Sequence, residues 1–179
     1  MLTDLQRKKL PNLFNLHDTD RDGRIRQADY DQVAQDLARG RGMAADSPEA
    51  QELRSRFATA WDSMSEFADA DGLSLDGWLA YWDRVISTDG MYEKVLSPIG
   101  EFVFSMLDRD GSGSVNAQEY IMFYKVMSFE EDEAREVFQQ LDSDGSGSLS
   151  REEILAMLEQ YFLSDDPAAP GNRFFGPYE

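Results

Sequence analysis

The sequence DRDGSGSVNAQE runs from Asp108 to Glu119, and a close copy, DSDGSGSLSREE, runs from Asp142 to Glu153. Both stretches place acids or small polar residues at alternate positions, a glycine at place 6 and a glutamate at place 12. Calcium takes about six to eight oxygen ligands, and a twelve-residue loop can supply them from places 1, 3, 5, 7, 9 and 12. The glycine permits a sharp turn, and glutamate is long enough to bind through both oxygens. Each stretch therefore predicts a calcium-binding loop.

These two stretches are the third loop (residues 108–119) and the fourth loop (residues 142–153) of the chain. The predicted ligands of the third loop are Asp108, Asp110, Ser112, the carbonyl of Ser114, and Glu119. Those of the fourth loop are Asp142, Asp144, Ser146, the carbonyl of Ser148, and Glu153. Place 9, which often acts through a water molecule, holds Asn116 and Ser150. The apolar residues at place 8, Val115 and Leu149, are expected to form a short two-stranded bridge.

A looser copy, DTDRDGRIRQAD, forms the first loop (residues 18–29). Its predicted ligands are Asp18, Asp20, Asp22, the carbonyl of Arg24, and Asp29. Gly23 lies at the turn, Ile25 takes the apolar place 8 and Arg26 takes place 9. Because aspartate is shorter than glutamate, Asp29 favours binding through one oxygen and a coordination number that magnesium also accepts. We therefore predict a calcium site here at which magnesium competes.

The second loop, FADADGLSLDGW from Phe67 to Trp78, has lost most of this pattern. With Leu73 at the apolar place 8, place 12 falls on Gly77, so that the closing carboxylate is missing. Such a loop lacks the ligand that closes around the ion. We predict a helix–loop–helix unit that is kept for packing and binds no ion, with its acids on the surface: Asp69, Asp71 and Asp76.

Apolar residues at helical spacing flank the loops, which predicts helices on both sides of each. We expect one helix from about Thr3 to His17, another to start at Ser47 and Pro48, and another from about Tyr92 to Leu107. The predicted fold class is all-α: four helix–loop–helix units in two pairs form one compact globule, with short antiparallel β bridges between paired loops. The predicted domains are an N-terminal pair (1–90), a C-terminal pair (91–163) and an apolar tail (164–179) that packs on the body.

The composition excludes several classes of protein. A net charge of −18 over 179 residues repels nucleic acid and anionic membranes. There are no cysteines, which excludes disulfides and thiolate metal sites and fits a cytoplasmic protein. The N-terminus, MLTDLQRKKL, is too polar for a signal peptide, Leu2 excludes myristoylation, and no apolar run is long enough to span a membrane.

The whole chain resembles the sarcoplasmic calcium-binding proteins and calexcitins of the EF-hand family, including bacterial members. Three stretches carry the resemblance: LTDLQRKKL at the start, AWDSMSEFADADGLSLDGWLAYWDRVI around the second loop, and YFLSDDPAAPGN with FFGP at the end. The resemblance implies two EF-hand pairs around a large shared core. It also implies cytosolic binding of calcium and magnesium, usually at three of four sites.

Our first interpretation is therefore a monomeric cytoplasmic buffer or transporter of calcium, with no enzyme activity. The alternative is a sensor that exposes a methionine-rich groove to an unidentified protein partner when calcium binds. Its candidate residues are Met106, Met122, Met127 and Met157, although their helical spacing favours core positions. A third hypothesis is a carrier of an apolar molecule, lined by Trp61, Trp78 and Trp82. Photoproteins share the fold but use several histidines, whereas this chain has only His17, which we expect to be a helix-end residue.

Overall fold

The computed structural model describes residues 1–126 and 130–178, except for the side chains at positions 92, 93 and 126. Within this part of the chain, the α-helices are α1 (Asp4–His17), α2 (Gln27–Gly40), α3 (Pro48–Met64), α4 (Leu75–Ser87), α5 (Ser97–Leu107), α6 (Ala117–Val126), α7 (Glu131–Leu141) and α8 (Arg151–Leu163). The strands are β1 (Arg24–Ile25), β2 (Leu73–Ser74), β3 (Ser114–Asn116) and β4 (Ser148–Ser150). The predicted class of helix–loop–helix units with short antiparallel bridges is confirmed. Met127 lies outside the described residues.

Local sequence signals account for where several helices begin. The hydroxyl of Ser47 accepts a hydrogen bond from the backbone N–H of Ala50, and Pro48 occupies the first turn of α3, as predicted. The helix expected from 92 to 107 is instead a π-helical segment, Tyr92–Leu96, followed by α5. Pro98 explains the change of register, because it has no N–H to donate and is tolerated only in the first turn of a helix.

Contacts between Cα atoms divide the chain into two units, and the first to be described comprises residues 10–84. Its strands β1 and β2 are antiparallel, with Ile25 opposite Leu73 and both side chains fully buried. Aromatic side chains form a large part of its core: Trp78 packs edge-on against Phe14 and Trp82, and its indole N–H donates to the carbonyl of Leu10. The bridge thus holds the first and second loops side by side.

The other unit comprises residues 1–9 and 85–179. Its strands β3 and β4 are antiparallel, with Val115 opposite Leu149, which is the pairing expected for the two place-8 residues. Helices α5 to α8 surround a core that includes Leu107, Leu141 and Ile154.

The C-terminal tail belongs to this second unit. A 3₁₀ turn, Pro170–Arg173, precedes the buried rings of Phe174 and Phe175. The hydroxyl of Tyr124 donates to the carbonyl of Phe174 at 2.5 Å, and the N–H of Gly171 donates to the side-chain oxygen of Gln160 at 3.0 Å. The tail is therefore packed against α6 and α8 rather than extended into solvent.

Candidate metal-binding loops

The third and fourth loops each bring together three acids from places 1, 3 and 12. One carboxylate oxygen from each acid lies within 4.8 Å of the others, and the two groups are Asp108 with Asp110 and Glu119, and Asp142 with Asp144 and Glu153. Backbone N–H groups aim these acids at one another: both oxygens of Asp142 accept, from Ser146 at 3.0 Å and from Gly147 at 2.9 Å. The N–H of Ser146 also donates to Asp144 at 2.9 Å, so the turn itself orients the acids at places 1 and 3.

Backbone conformation, rather than lack of space, explains why place 6 is glycine. Gly113 and Gly147 both have φ +84°, a left-handed conformation that side chains disfavour. A Cβ at either position would meet nothing within 4 Å. The turn therefore requires the backbone freedom of glycine and not its small size.

The place-12 glutamates are held at the entrance of the exiting helices. Glu153 is the third residue of α8, where its carboxylate accepts from the N–H of Ser150 at 2.9 Å and from that of Ser143 at 3.1 Å. Burial opposes ionisation of Glu153, but the hydrogen bonds from Ser150 and Ser143 outweigh it and lower its pKa. Glu119 is held in the same way by Asn116 and Arg109. Backbone N–H groups thus orient both carboxylates.

The predicted ligands at places 5 and 7 also lie together. The hydroxyl of Ser112 donates to the carbonyl of Ser114 at 2.9 Å, and the hydroxyl of Ser146 donates to that of Ser148 at 2.8 Å. Rotation of the hydroxyl hydrogen away from the carbonyl would leave the serine oxygen and the carbonyl oxygen free to bind a cation. The donors are all hard oxygens, which is the chemistry that calcium and magnesium prefer.

The first loop differs at its closing residue. Its acidic group consists of Asp18, Asp20 and Asp22, and among the described residues this group does not include Asp29. The carboxylate of Asp29 makes the contacts that Glu153 makes in the fourth loop: one oxygen accepts from the N–H and hydroxyl of Thr19 and the other from the N–H of Arg26. The shorter side chain therefore reaches the loop backbone but does not join the three other acids.

The second loop is closed by protein groups. In the part of the chain that the structure describes, its acids form no group of three that could hold a metal ion. Asp69 forms an ion pair of 2.9 Å with Arg24 of the first loop, and this pairing lowers the pKa of Asp69. At place 12, a Cβ on Gly77 would lie 2.6 Å from the carbonyl oxygen of Phe67, which leaves no room for a carboxylate there.

His17 lies at the end of α1, as predicted, and is half-buried. Its Nδ1 is 2.8 Å from the carbonyl of Leu13, and its ring stacks on Tyr30 with the centroids 4.9 Å apart. Burial lowers its pKa. Trp78 and Trp82 are buried core residues that pack edge-on against each other, and Trp61 packs against Tyr30.

Sequence reasoning missed the roles of two arginine side chains in the first loop. Arg24 was assigned through its carbonyl and Arg26 only through its place in the loop, yet both guanidinium groups pair with acids. The Arg26 side chain holds Asp22 at 2.6 Å and lowers its pKa. The signal was present, since cations at places 7 and 9 have no counterpart in the other two acidic loops.

Comparisons with known proteins agree with this geometry. Residues 100–159, which contain the third and fourth loops, match the family model described as an EF-hand domain pair. The chain is 27% identical over 144 residues to calerythrin of Saccharopolyspora erythraea, covering 76% of this chain and 80% of that protein.

Solved structures share the fold. A sarcoplasmic calcium-binding protein from amphioxus superimposes with a TM-score of 0.73 at 19% identity, over 99% of each chain. A calcium-binding protein from Streptomyces coelicolor gives a TM-score of 0.67 at 24% identity, over 89% of this chain and 98% of the other. Among the described residues, no helix is both long and apolar enough to cross a membrane.

Proposed function

Since this chain is an EF-hand protein related to calerythrin, we propose that it binds three calcium ions, at the first, third and fourth loops, and acts as a calcium buffer. The observation that carries the proposal is the arrangement of three acidic groups, each with its oxygens within 4.8 Å of one another. The second loop holds no ion in this proposal. We further propose that magnesium competes at the first loop, that the protein is a cytoplasmic monomer, and that it is not an enzyme.

The ligand side of the proposal follows from the loop geometry. Calcium is the cargo, and the residues that would hold it in the fourth loop are Asp142, Asp144, Ser146, the carbonyl of Ser148, and Glu153. Hydrogen bonds from backbone N–H groups fix Asp142 and Glu153 before any ion arrives. Less ordering is then needed on binding, which favours affinity.

The burial of the methionines supports a buffer over a sensor. A sensor exposes a methionine-rich groove when it opens, whereas a buffer EF-hand barely opens. Met106 and Met157 are core residues, while Met122 is 44% exposed. The sensor remains the alternative function, because a groove would form only on calcium binding. The Streptomyces coelicolor structure, described in connection with calcium-mediated regulation, is the reason to test it.

Calorimetric titration of the chelator-stripped full chain with calcium tests the proposal, with a repeat in millimolar magnesium. We expect three sites, one of which is weakened by magnesium. Two sites would remove the first loop from the proposal, and four would overturn the assignment of the second loop. A hydrophobic dye added in parallel separates the two functions: a buffer leaves its fluorescence unchanged, and a sensor brightens it when calcium is added.

A further inference from the structure

The first loop has the most acids at ligand places and yet the least negative charge. It contains four aspartates and three arginines, a net charge of −1. The third loop contains three acids and one arginine, a net charge of −2, and the fourth contains four acids and one arginine, a net charge of −3. Ligand charge is one of the quantities that set the affinity of such loops. The arginines of the first loop therefore bear directly on its affinity.

The three arginines take different positions. Arg21, at place 4, is exposed. Arg24 extends to the second loop, where its guanidinium donates to the carboxylate of Asp69 at 2.9 Å and to the carbonyl of Gly72 at 3.3 Å. Arg26 alone folds back on a ligand of its own loop, donating to Asp22 Oδ2 at 2.6 Å.

The residue at place 9 has a different role in the third and fourth loops. Asn116 and Ser150 are neutral there, and their side-chain oxygens accept from the backbone N–H of the place-12 glutamates, at 3.1 Å in each case. They organise the closing ligand without adding charge. Arg26 instead adds a cation next to Asp22, the predicted ligand at place 5. The other carboxylate oxygen of Asp22, Oδ1, accepts from the N–H of Arg24 at 2.9 Å.

We propose that Arg26 determines the affinity of the first loop, as an internal cation that shares Asp22 with the incoming ion. This inference rests on the proposed calcium binding. The guanidinium neutralises part of the charge of Asp22 and repels a divalent ion held by the same carboxylate. The first loop is consequently the weakest of the three sites, although it has three aspartates at places 1, 3 and 5.

Arg26→Gln tests the proposal, because it removes the charge while keeping most of the side-chain length and creates no favourable helix cap. All three tryptophans lie within residues 10–84, and the ring of Trp78 is 5.6 Å from that of His17, beside Asp18. Tryptophan fluorescence during a calcium titration of the full chain therefore reports on the first loop. We expect the variant to bind calcium there on the order of tenfold more tightly at low salt.

Two matched variants show whether the ion pair is responsible. Arg26→Lys keeps the charge and is expected to bind calcium as the wild type does, whereas Arg21→Gln removes the same charge from the exposed place 4 and should have a smaller effect. The gain from Arg26→Gln should shrink in about 1 M salt, where the Debye length falls to roughly 3 Å. A merely structural role for Arg26 would not show this dependence on salt.

The outcomes separate this proposal from the proposed function. Equal affinities of the wild type and Arg26→Gln, or equal gains from Arg26→Gln and Arg21→Gln, would overturn the role of Arg26 and leave calcium binding intact. Tryptophan fluorescence could fail to respond to calcium in every variant while calorimetry still detects two sites. The first loop would then not bind calcium, and both this inference and the proposal of three calcium sites would fail.

Discussion

The ammonium group of Lys9 donates a hydrogen bond of 2.8 Å to the side-chain oxygen of Asn172, which lies 163 residues away in the C-terminal tail. The same ammonium donates to the carbonyls of Gln160 and Ser164 at 3.1 Å. Lys9 is 0% exposed, and its three acceptors come from the end of α8 and from the tail. A buried cation is tolerated because all three N–H groups have partners, so this contact fixes the tail to the helix that follows the fourth loop.

Substitution of Asn172 by alanine is expected to destabilise the protein by about 2 kcal/mol. The variant leaves a buried ammonium group with one acceptor fewer, and losing a hydrogen bond to a charged group costs more than losing a neutral one. Urea denaturation in the presence of a chelator measures the effect. The control is the same substitution in a Lys9→Met background, where it should cost clearly less. Equal costs in the two backgrounds would show that Lys9 and Asn172 are not coupled.

Lys9 also predicts a dependence of stability on pH. Burial lowers its pKa from 10.5 to about 8, and the charge of Asp165 opposes the shift only partly. Between these two values the unfolded chain binds more protons than the folded chain, so that stability rises with pH. Below about pH 8 the destabilisation is fully present, and above 10.5 it is gone.

The measurement is the free energy of unfolding of the wild type minus that of Lys9→Met, at several pH values from about 7 to 10. The difference removes the contributions of other groups whose pKa changes on folding, such as Tyr124, whose pKa burial raises. We expect the wild type to gain stability relative to the variant as the pH rises. A flat difference would mean that the three hydrogen bonds keep the pKa of Lys9 near its ordinary value.

Much of this architecture could be predicted from local sequence, but the burial of Lys9 could not. The place-8 residues Val115 and Leu149 were expected to pair, and they do, because the twelve-residue pattern fixes the register of each loop. Lys8 and Lys9 are alike in sequence, yet Lys8 is exposed and Lys9 is buried. Only acceptors more than 150 residues away distinguish the two, and no local pattern indicates them.

In the candidate metal-binding loops, too, local sequence predicts some contacts and not others. The grouping of the acids at places 1, 3 and 12 of the fourth loop could be predicted from spacing alone, since a loop that wraps an ion requires that spacing. The ion pair between Arg24 and Asp69 could not, because it depends on the bridge that places the first and second loops side by side. Long side chains on a bridge have several acceptors within reach, and tertiary structure selects one.

Glu153→Gln is expected to weaken calcium binding at the fourth loop by roughly 100-fold or more, since it replaces the proposed closing ligand, and loss of a group that only supports a ligand already costs about 10–100-fold. Calorimetric titration of the full chain measures this as the loss of one site. Glutamine keeps an oxygen that can accept from Ser150, so the fold should persist. Glu152→Gln, the same change one residue earlier, is the control and should leave all three sites in place.

Asp29→Glu is expected to raise the preference of the first loop for calcium over magnesium, on the order of tenfold. The longer side chain can reach the group formed by Asp18, Asp20 and Asp22, which Asp29 does not join. Tryptophan fluorescence titrations with each ion measure the ratio of affinities. Asp31→Glu, two residues beyond the loop, makes the same chemical change as a control. An unchanged ratio would show that the length of the closing acid does not set selectivity here, and that Thr19 and Arg26 hold either side chain in the same place.

Gly77→Ala is expected to destabilise the protein by about 1–3 kcal/mol, the usual cost of overpacking. Helix propensity alone predicts the opposite sign, because alanine is favoured over glycine inside a helix by up to about 1 kcal/mol. The added Cβ would lie 2.6 Å from the backbone carbonyl oxygen of Phe67 and 2.8 Å from a methyl carbon of Leu73, which is paired with Ile25 in the bridge. Urea denaturation of the chelator-treated protein gives the sign of the change in stability, with Asp76→Ala on the exposed side of the same turn as the control.

A stabilised Gly77→Ala variant would mean that the second loop can accommodate a side chain at position 77. Gly77→Glu should then be tested for a fourth calcium site, which the close contact with Phe67 otherwise excludes.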